Sequence, residues 1–230
     1  MNNISRVINP KWYKEQMSGW TRISYILLFV GYLIQLVIGF NSGINMLSVT
    51  STIAGVIGFT CTIAITNGKS INGLLGFISA LLLIFVATRT GNYSDVIMQT
   101  AYVLLLDIPI LLSVSWNGNF EPRKMKINNI IFYLGLFFIF VILTFLLDTY
   151  LGSQQAILDS ISASVGLTGA VLTVQRYRAS YYMWTLQALM SIALWIQTAI
   201  NGHAVWVLMI TYMLYLTNDI IAFTHSKWFK

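Results

Sequence analysis

The chain has 230 residues, of which 57% are hydrophobic and only 9% charged, and its mean hydropathy is +0.74. A soluble domain carries about a quarter charged residues, so this composition defines an integral membrane protein. The formal charge of +6 builds no nucleic-acid surface, because the basic residues are scattered between hydrophobic segments, and the single cysteine, Cys61, excludes an intrachain disulfide.

Residues 1–21 contain no apolar stretch of signal-peptide type, so no cleavable leader is expected. Their basic and aromatic side chains suit a segment lying at the membrane surface. A membrane-crossing helix needs about twenty apolar residues. Eight segments qualify: 22–40, 46–66, 70–88, 95–115, 128–147, 155–174, 181–200 and 204–223. Every connection is short, which predicts one all-α membrane domain over residues 1–230.

With the N-terminus placed inside, twelve of the thirteen basic residues fall on the inner side and only Arg89 falls outside. The positive-inside rule therefore predicts that both termini are cytoplasmic.

The close-set segments form two triplets, 46–116 and 155–228, with 128–147 as a linker helix and 22–40 as an extra helix in front. Shifting the first triplet by 108 residues places Gly58 on Gly166, Thr60 on Thr168 and Gly76 on Trp184. A two-residue gap then places Tyr102 on Tyr212 and Asp107 on Thr217. Three crossings reverse the chain and a fourth, the linker helix, reverses it again, so the two triplets run in the same sense. This 1+3+1+3 plan, with parallel repeats about an axis along the membrane normal, is that of SWEET-type sugar transporters. The glycines of Thr52–Gly58 and Asn72–Gly76 suit close helix packing in lipid.

Polar residues at membrane depth carry the functional information, because burying them is costly unless they meet a partner or a cavity. In the stretch Arg176–Trp195, helical spacing puts Trp184, Ala188, Ser191 and Trp195 on one face, with Gln187 adjoining through Ser191. Two indoles with small residues between them make a slot for a planar guest. The alternative is plain packing between helices. Asp107 stands just before Pro109 with no Lys or Arg inside any segment to pair with it. Structural hydrogen bonding, substrate contact and ion coupling all remain open for it. Gln99 and Tyr102 lie on the same segment, and Tyr212, Tyr215 and Asn218 make a similar stripe on the eighth. Asp219 is expected near the inner interface, Asn72 either caps a helix or faces the cavity, and Trp206 and Trp228 are read as interfacial anchors. There is no GxSxG, HExxH or phosphate-binding loop and no Cys pairing, so neither an enzyme nor a metal site nor a cofactor is predicted.

Over about residues 48–228 the sequence resembles the PnuC family of bacterial vitamin transporters. The resemblance rests on TIAG, KSINGLLGFIS, GNYSDVIMQ, RYRASYYMW and the tryptophans Trp116 and Trp228 that close each triplet. It implies a SWEET-like fold in the bacterial plasma membrane and facilitated diffusion of nicotinamide riboside through a mid-membrane site. It also implies trapping through phosphorylation by a cytosolic kinase, and a homotrimer. On the same basis Trp184 matches the family's aromatic and Tyr181 stands where a second Trp is common. Gln99 and Asn72 match a family Gln and Asn. The chain departs from the pattern at Ala188 and Ser79, where members often carry Asn, which leaves thiamine, riboflavin and deoxynucleosides as alternative cargoes. An energy-coupling-factor subunit and a non-transporting membrane protein are the rival classes.

Overall fold

The computed structural model describes residues 6–41, 43–113, 116, 120–151, 156–203 and 205–229. Among them the chain forms a short helix α1 (Pro10–Gln16) and eight long ones: α2 (Arg22–Asn41), α3 (Met46–Thr66), α4 (Ile71–Thr90), α5 (Tyr93–Leu112), α6 (Ile127–Tyr150), α7 (Ala156–Val174), α8 (Ser180–Ile200) and α9 (Trp206–His225). All but α7 of the long helices are apolar and long enough to cross a membrane, and α7 adds an apolar run over Ser160–Val174. Seven of the eight expected crossings therefore form helices long and apolar enough to span, while α7 is shorter in its described apolar run; Val114, Ser115, Gln155 and Ala204, at expected segment ends, lie outside the described residues.

Local chemistry starts and interrupts these rods. Pro10 opens α1 behind Asn9, whose side chain accepts from the Lys11 N–H. Asn45 and Ser48 form a reciprocal capping box at the start of α3. Midway along α5, Val103–Asp107 form a π-turn, in which the Ile108 N–H reaches the Val103 carbonyl. Pro109, which has no N–H to give and whose ring crowds the carbonyl one turn back, explains why the α-ladder breaks there. A π-turn accommodates one extra residue.

The helices close into a ring. α3 packs on α4, α4 on α5, α5 on α7, α7 on α8, α8 on α9, and α9 returns to α3. Each neighbour relation within α3–α4–α5 has its counterpart in α7–α8–α9, and the two joints, α5 on α7 and α9 on α3, are equivalent as well. Outside the ring, α2 leans on α3 and α9, and α6 packs on α7 while leaving nearly all of its surface uncovered.

The ends of the ring are sealed differently. One apolar core gathers Leu83, Val86, Trp195, Val205 and Leu208. At the other, basic end, Trp116, Phe120, Tyr181 and Trp228 form an aromatic cluster, with Phe120 and Trp228 centroids 4.9 Å apart. Trp228 is wholly buried there and its Nε1–H donates to the Ile65 carbonyl at 2.8 Å. It is thus a core residue and not the interfacial anchor expected, whereas Trp206, at the start of α9, is 38% exposed. The N-terminal segment is also more embedded than a surface strip. Trp12 and Trp20 are buried, and the Gln16 side chain accepts from Ser70 Oγ and the Ile71 N–H, so α1 caps the α3–α4 turn. Beside it, the Arg123 N–H donates to the Arg176 carbonyl at 2.7 Å and the Arg178 N–H to the Arg123 carbonyl at 3.0 Å, tying the segment before α6 to the α7–α8 turn.

Candidate functional site

Between the two cores lies a cavity of about 110 Å³, counted as space open to the centre of a water molecule. One water needs roughly 10–15 Å³ on that measure, so the space admits a small organic molecule. The walls come from Gly58, Cys61, Thr62 and Ile65 of α3, from Gly76, Ser79, Ala80 and Leu83 of α4, and from Gln99, Tyr102, Leu106 and Asp107 of α5. The opposite wall is Tyr181, Trp184, Gln187 and Ala188 of α8 with Tyr212, Tyr215, Asn218 and Asp219 of α9.

These wall positions repeat. Gly76, Ser79 and Ala80 shifted by 108 residues are Trp184, Gln187 and Ala188. On the next helix the wall residues Gln99, Tyr102, Leu106 and Asp107 answer to Tyr212, Tyr215, Asn218 and Asp219. The spacing is the same except for one extra residue between Tyr102 and Leu106. That residue is the one the π-turn of α5 absorbs. The register drawn from sequence, Tyr102 on Tyr212 and Asp107 on Thr217, is therefore corrected to Tyr102 on Tyr215 and Asp107 on Asp219. Asp219, expected at the interface, lines the cavity.

The close fit at the repeat's glycines follows the same relation. A Cβ on Gly166 of α7 would meet the Tyr102 hydroxyl and Gln187 Oε1, and one on Gly58 of α3 would meet the Tyr215 hydroxyl and Ser79 Oγ. Each triplet's first helix thus cradles a tyrosine from the other triplet. Gly76 has the same reason to be glycine, since a Cβ there would run into the Asp107 carboxylate.

The aromatic side of the site is Trp184, whose Nε1–H donates to Thr173 Oγ1 at 2.8 Å and whose ring meets Tyr102 edge-on at 5.7 Å and 73°. That hydrogen bond fixes the indole plane. Gln187 donates from Nε2 to Ser191 Oγ at 3.1 Å and to Met98 Sδ at 3.3 Å, and Gln99 donates to Asp95 Oδ1 at 3.3 Å. Asn218 donates to the Thr62 carbonyl and to Thr66 Oγ1, and Asp219 Oδ2 accepts from Thr185 Oγ1 at 3.1 Å. The Tyr181 hydroxyl pairs with Thr66 Oγ1 at 3.0 Å, and the Tyr212 hydroxyl turns toward Gln99 and Ser191.

What remains unpaired is informative. The Tyr102 hydroxyl, Asp107 Oδ2, Gln187 Oε1 and Asn218 Oδ1 are buried, belong to wall residues, and have no hydrogen-bond partner among the described residues. The donors already committed by Gln187 and Asn218 fix which end of each amide is the oxygen. Three of the four free atoms are therefore acceptors. An unpaired buried polar atom costs about 1–3 kcal/mol, so the walls are complete only with a donor-rich guest or water in the cavity.

Eleven residues were expected at the site, and eight line the cavity: Trp184, Gln187, Gln99, Tyr102, Asp107, Tyr181, Tyr212 and Asn218. Ser191 stands behind the wall and orients Gln187. Trp195 lies in the apolar core, so the two-indole slot does not form. Eleven residues separate it from Trp184, about 16 Å along a helix, too far for one ring to bridge. Asn72 is outside the cavity too. Its Nδ2 donates to the Lys69 carbonyl at 2.5 Å, a bond at the start of α4 but not the expected cap, which would accept from a helix N–H. Thr62, Ser79, Tyr215 and Asp219 were not singled out as site residues. The repeated spacing on α5 and α9 is the signal that would have found the last two.

A closed ring of apolar helices around a mainly apolar cavity with a few polar side chains in its walls is the architecture of a small-solute membrane transporter. The sequence profile of the nicotinamide mononucleotide transporter family matches residues 48–230, and the chain belongs to that family, the PnuC transporters, which are not enzymes. It is 26% identical to the nicotinamide riboside transporter PnuC of Neisseria mucosa, over 98% of this chain and 88% of that protein. The Haemophilus influenzae nicotinamide riboside transporter PnuC is 22% identical, with 94% of each chain covered. In fold, the chain matches a solved crystal structure of the vitamin B3 transporter PnuC with a TM-score of 0.81, at 22% identity over 96% of both chains.

Proposed function

We propose that this protein carries nicotinamide riboside across the bacterial plasma membrane by facilitated diffusion, with phosphorylation by a cytosolic kinase trapping the product. The observation that carries this reading is the cavity itself, in which an oriented indole stands beside unpaired acceptors and no Lys, Arg or His is among the wall residues. Nicotinamide riboside offers a cationic ring for Trp184, an amide N–H₂ and ribose hydroxyls as donors. A mononucleotide would bring a phosphate into a wall with no cation to receive it, so the riboside and not the nucleotide fits. The 1+3+1+3 repeat plan provides two halves that can rock about the cavity. Both termini lie in the cytoplasm, where the basic end of the ring obeys the positive-inside rule. The uncovered α6 supplies surface for the homotrimer that the family resemblance implies.

The test is counterflow of labelled nicotinamide riboside in proteoliposomes holding this chain alone, with and without Trp184→Ala. Ring stacking is worth on the order of 1–3 kcal/mol, so the substitution should weaken affinity by about 5- to 150-fold. Absence of counterflow by the parent protein overturns the transport reading, and unchanged affinity in the variant removes Trp184 from the site.

A further inference from the structure

We infer that Asp107 and Asp219 are a symmetry-related charge filter. They supply the negative charge that makes the cavity take a ring monocation and turn away neutral rings of the same shape. The inference deepens the reading of this cavity as a nicotinamide riboside site and rests on it for the choice of probe.

The two carboxyls are the only charged side chains among the wall residues, and they occupy equivalent positions on the third helix of each repeat. The sequence would not keep them equivalent on regular helices. The extra residue in α5 would turn Asp107 by about 100° off the wall, and the π-turn of Val103–Asp107 takes up that residue and returns the carboxyl to the cavity. Neither carboxyl has an ion-pair partner among the described residues. Asp219 accepts one hydroxyl, from Thr185, and Asp107 keeps Oδ2 unpaired although its side chain is 2% exposed. Gly76 leaves room for the Asp107 carboxyl, which a Cβ there would strike. A carboxyl held at membrane depth without a counter-charge is costly to keep ionised, and a bound cation favours its charged form. A neutral guest does not. The aromatic face of Trp184 acts in the same direction, because its quadrupole attracts a cation and is indifferent to a neutral ring. Preference for charge is therefore built into both repeats, whereas ring recognition resides in one.

The experiment titrates the full-length protein in detergent with nicotinamide riboside and with its 1,4-dihydro form, which keeps the ring, amide and ribose but is neutral. The parent should bind the cation about thirtyfold or more tightly than the neutral form. Asp107→Asn and Asp219→Asn should each weaken cation binding, the first by about thirtyfold and the second by less because Thr185 shares its load. Both should lower the ratio of cation affinity to dihydro affinity, because only the cation answers to the charge, and the double variant should bind the two ligands alike. Equal binding of both ligands by the parent overturns the filter without any variant. So does a double variant that still prefers the cation. If Asp107→Asn does not fold, Asp219→Asn and Asp107→Glu are read in the same way, the Glu variant keeping the preference. If the parent binds no nicotinamide riboside, the substrate reading fails while the filter is measured on thiamine against its neutral thiophene isostere. Equal binding there, or preference for thymidine or riboflavin over either cation, overturns the filter as well.

Discussion

Gly166 offers a way to reach the site from outside it. The residue sits on α7, which contributes nothing to the cavity wall, yet a methyl added there would stand 3.0 Å from Tyr102 Cζ and 3.1 Å from Gln187 Oε1, and closer still to the Tyr102 hydroxyl. Carbon atoms settle at about 3.5–4.0 Å, so the phenol must retreat by about half an ångström or more. Its ring already rests edge-on against Trp184, so the free direction is into the cavity. Overpacking of this kind costs about 1–3 kcal/mol, and the disturbed aromatic pair adds about 0.5–1.5 kcal/mol. A guest that occupies the space Tyr102 needs would bear a similar cost, which predicts affinity lower by roughly 5- to 150-fold in Gly166→Ala. By the repeat relation, Gly58→Ala should do the same through Tyr215 and Ser79. Gly135→Ala on α6, where nothing lies within 4 Å of the new methyl, is the control. Tryptophan-fluorescence titration with nicotinamide riboside reads affinity, and thermal unfolding reads stability. Were Gly166→Ala to bind like the parent, as Gly135→Ala should, the packing argument and the wall assignment of Tyr102 would both be refuted.

Two further substitutions separate support from binding. Asn72→Ala removes the hydrogen bond to the Lys69 carbonyl at the start of α4 and should lower stability by about 1 kcal/mol with affinity unchanged; a loss of affinity at equal stability would put Asn72 back at the site. Trp228→Ala empties a fully buried position packed on Phe120 and Tyr181 and frees the Ile65 carbonyl, so a stability loss of about 3–5 kcal/mol is expected in thermal or denaturant unfolding. A melting temperature within a degree or two of the parent would contradict the role of that cluster as the seal of the basic end.

The sequence was most readable where one signal dominates. Runs of apolar residues place the long helices, and the sorting of basic residues agrees with their alternation. Eight of the expected site residues reach the cavity because polar atoms at membrane depth have few other places to go. The errors have a common origin, which is that periodicity assumes regular helices and says nothing of what lies behind a face. Trp195 shares the face of Trp184 on an ideal helix, but a face is longer than a cavity, and its far end belongs to the apolar core. Trp228 looks like an interfacial tryptophan by position, yet its indole finds a backbone carbonyl inside the protein. Asn72 takes neither of its two expected roles, since it lies outside the cavity and donates to the Lys69 carbonyl. The repeat register slipped because the π-turn cannot be read from letters alone, although Pro109 marks where the ladder fails.

The corrected register shows how two similar halves make a site with a direction. At equivalent positions the first repeat supplies Gly76, Ser79 and Gln99 where the second supplies Trp184, Gln187 and Tyr212. Where the first half has Gly76, which leaves room for the Asp107 carboxyl, the second half carries the Trp184 indole. Tyr102 and Tyr215, by contrast, are the same residue in both halves, each seated on the other half's glycine. The shared residues tie the halves together, and the unshared ones tell a guest which way to lie. That asymmetry is what a carrier built from a duplicated triplet needs before it can distinguish one vitamin from another.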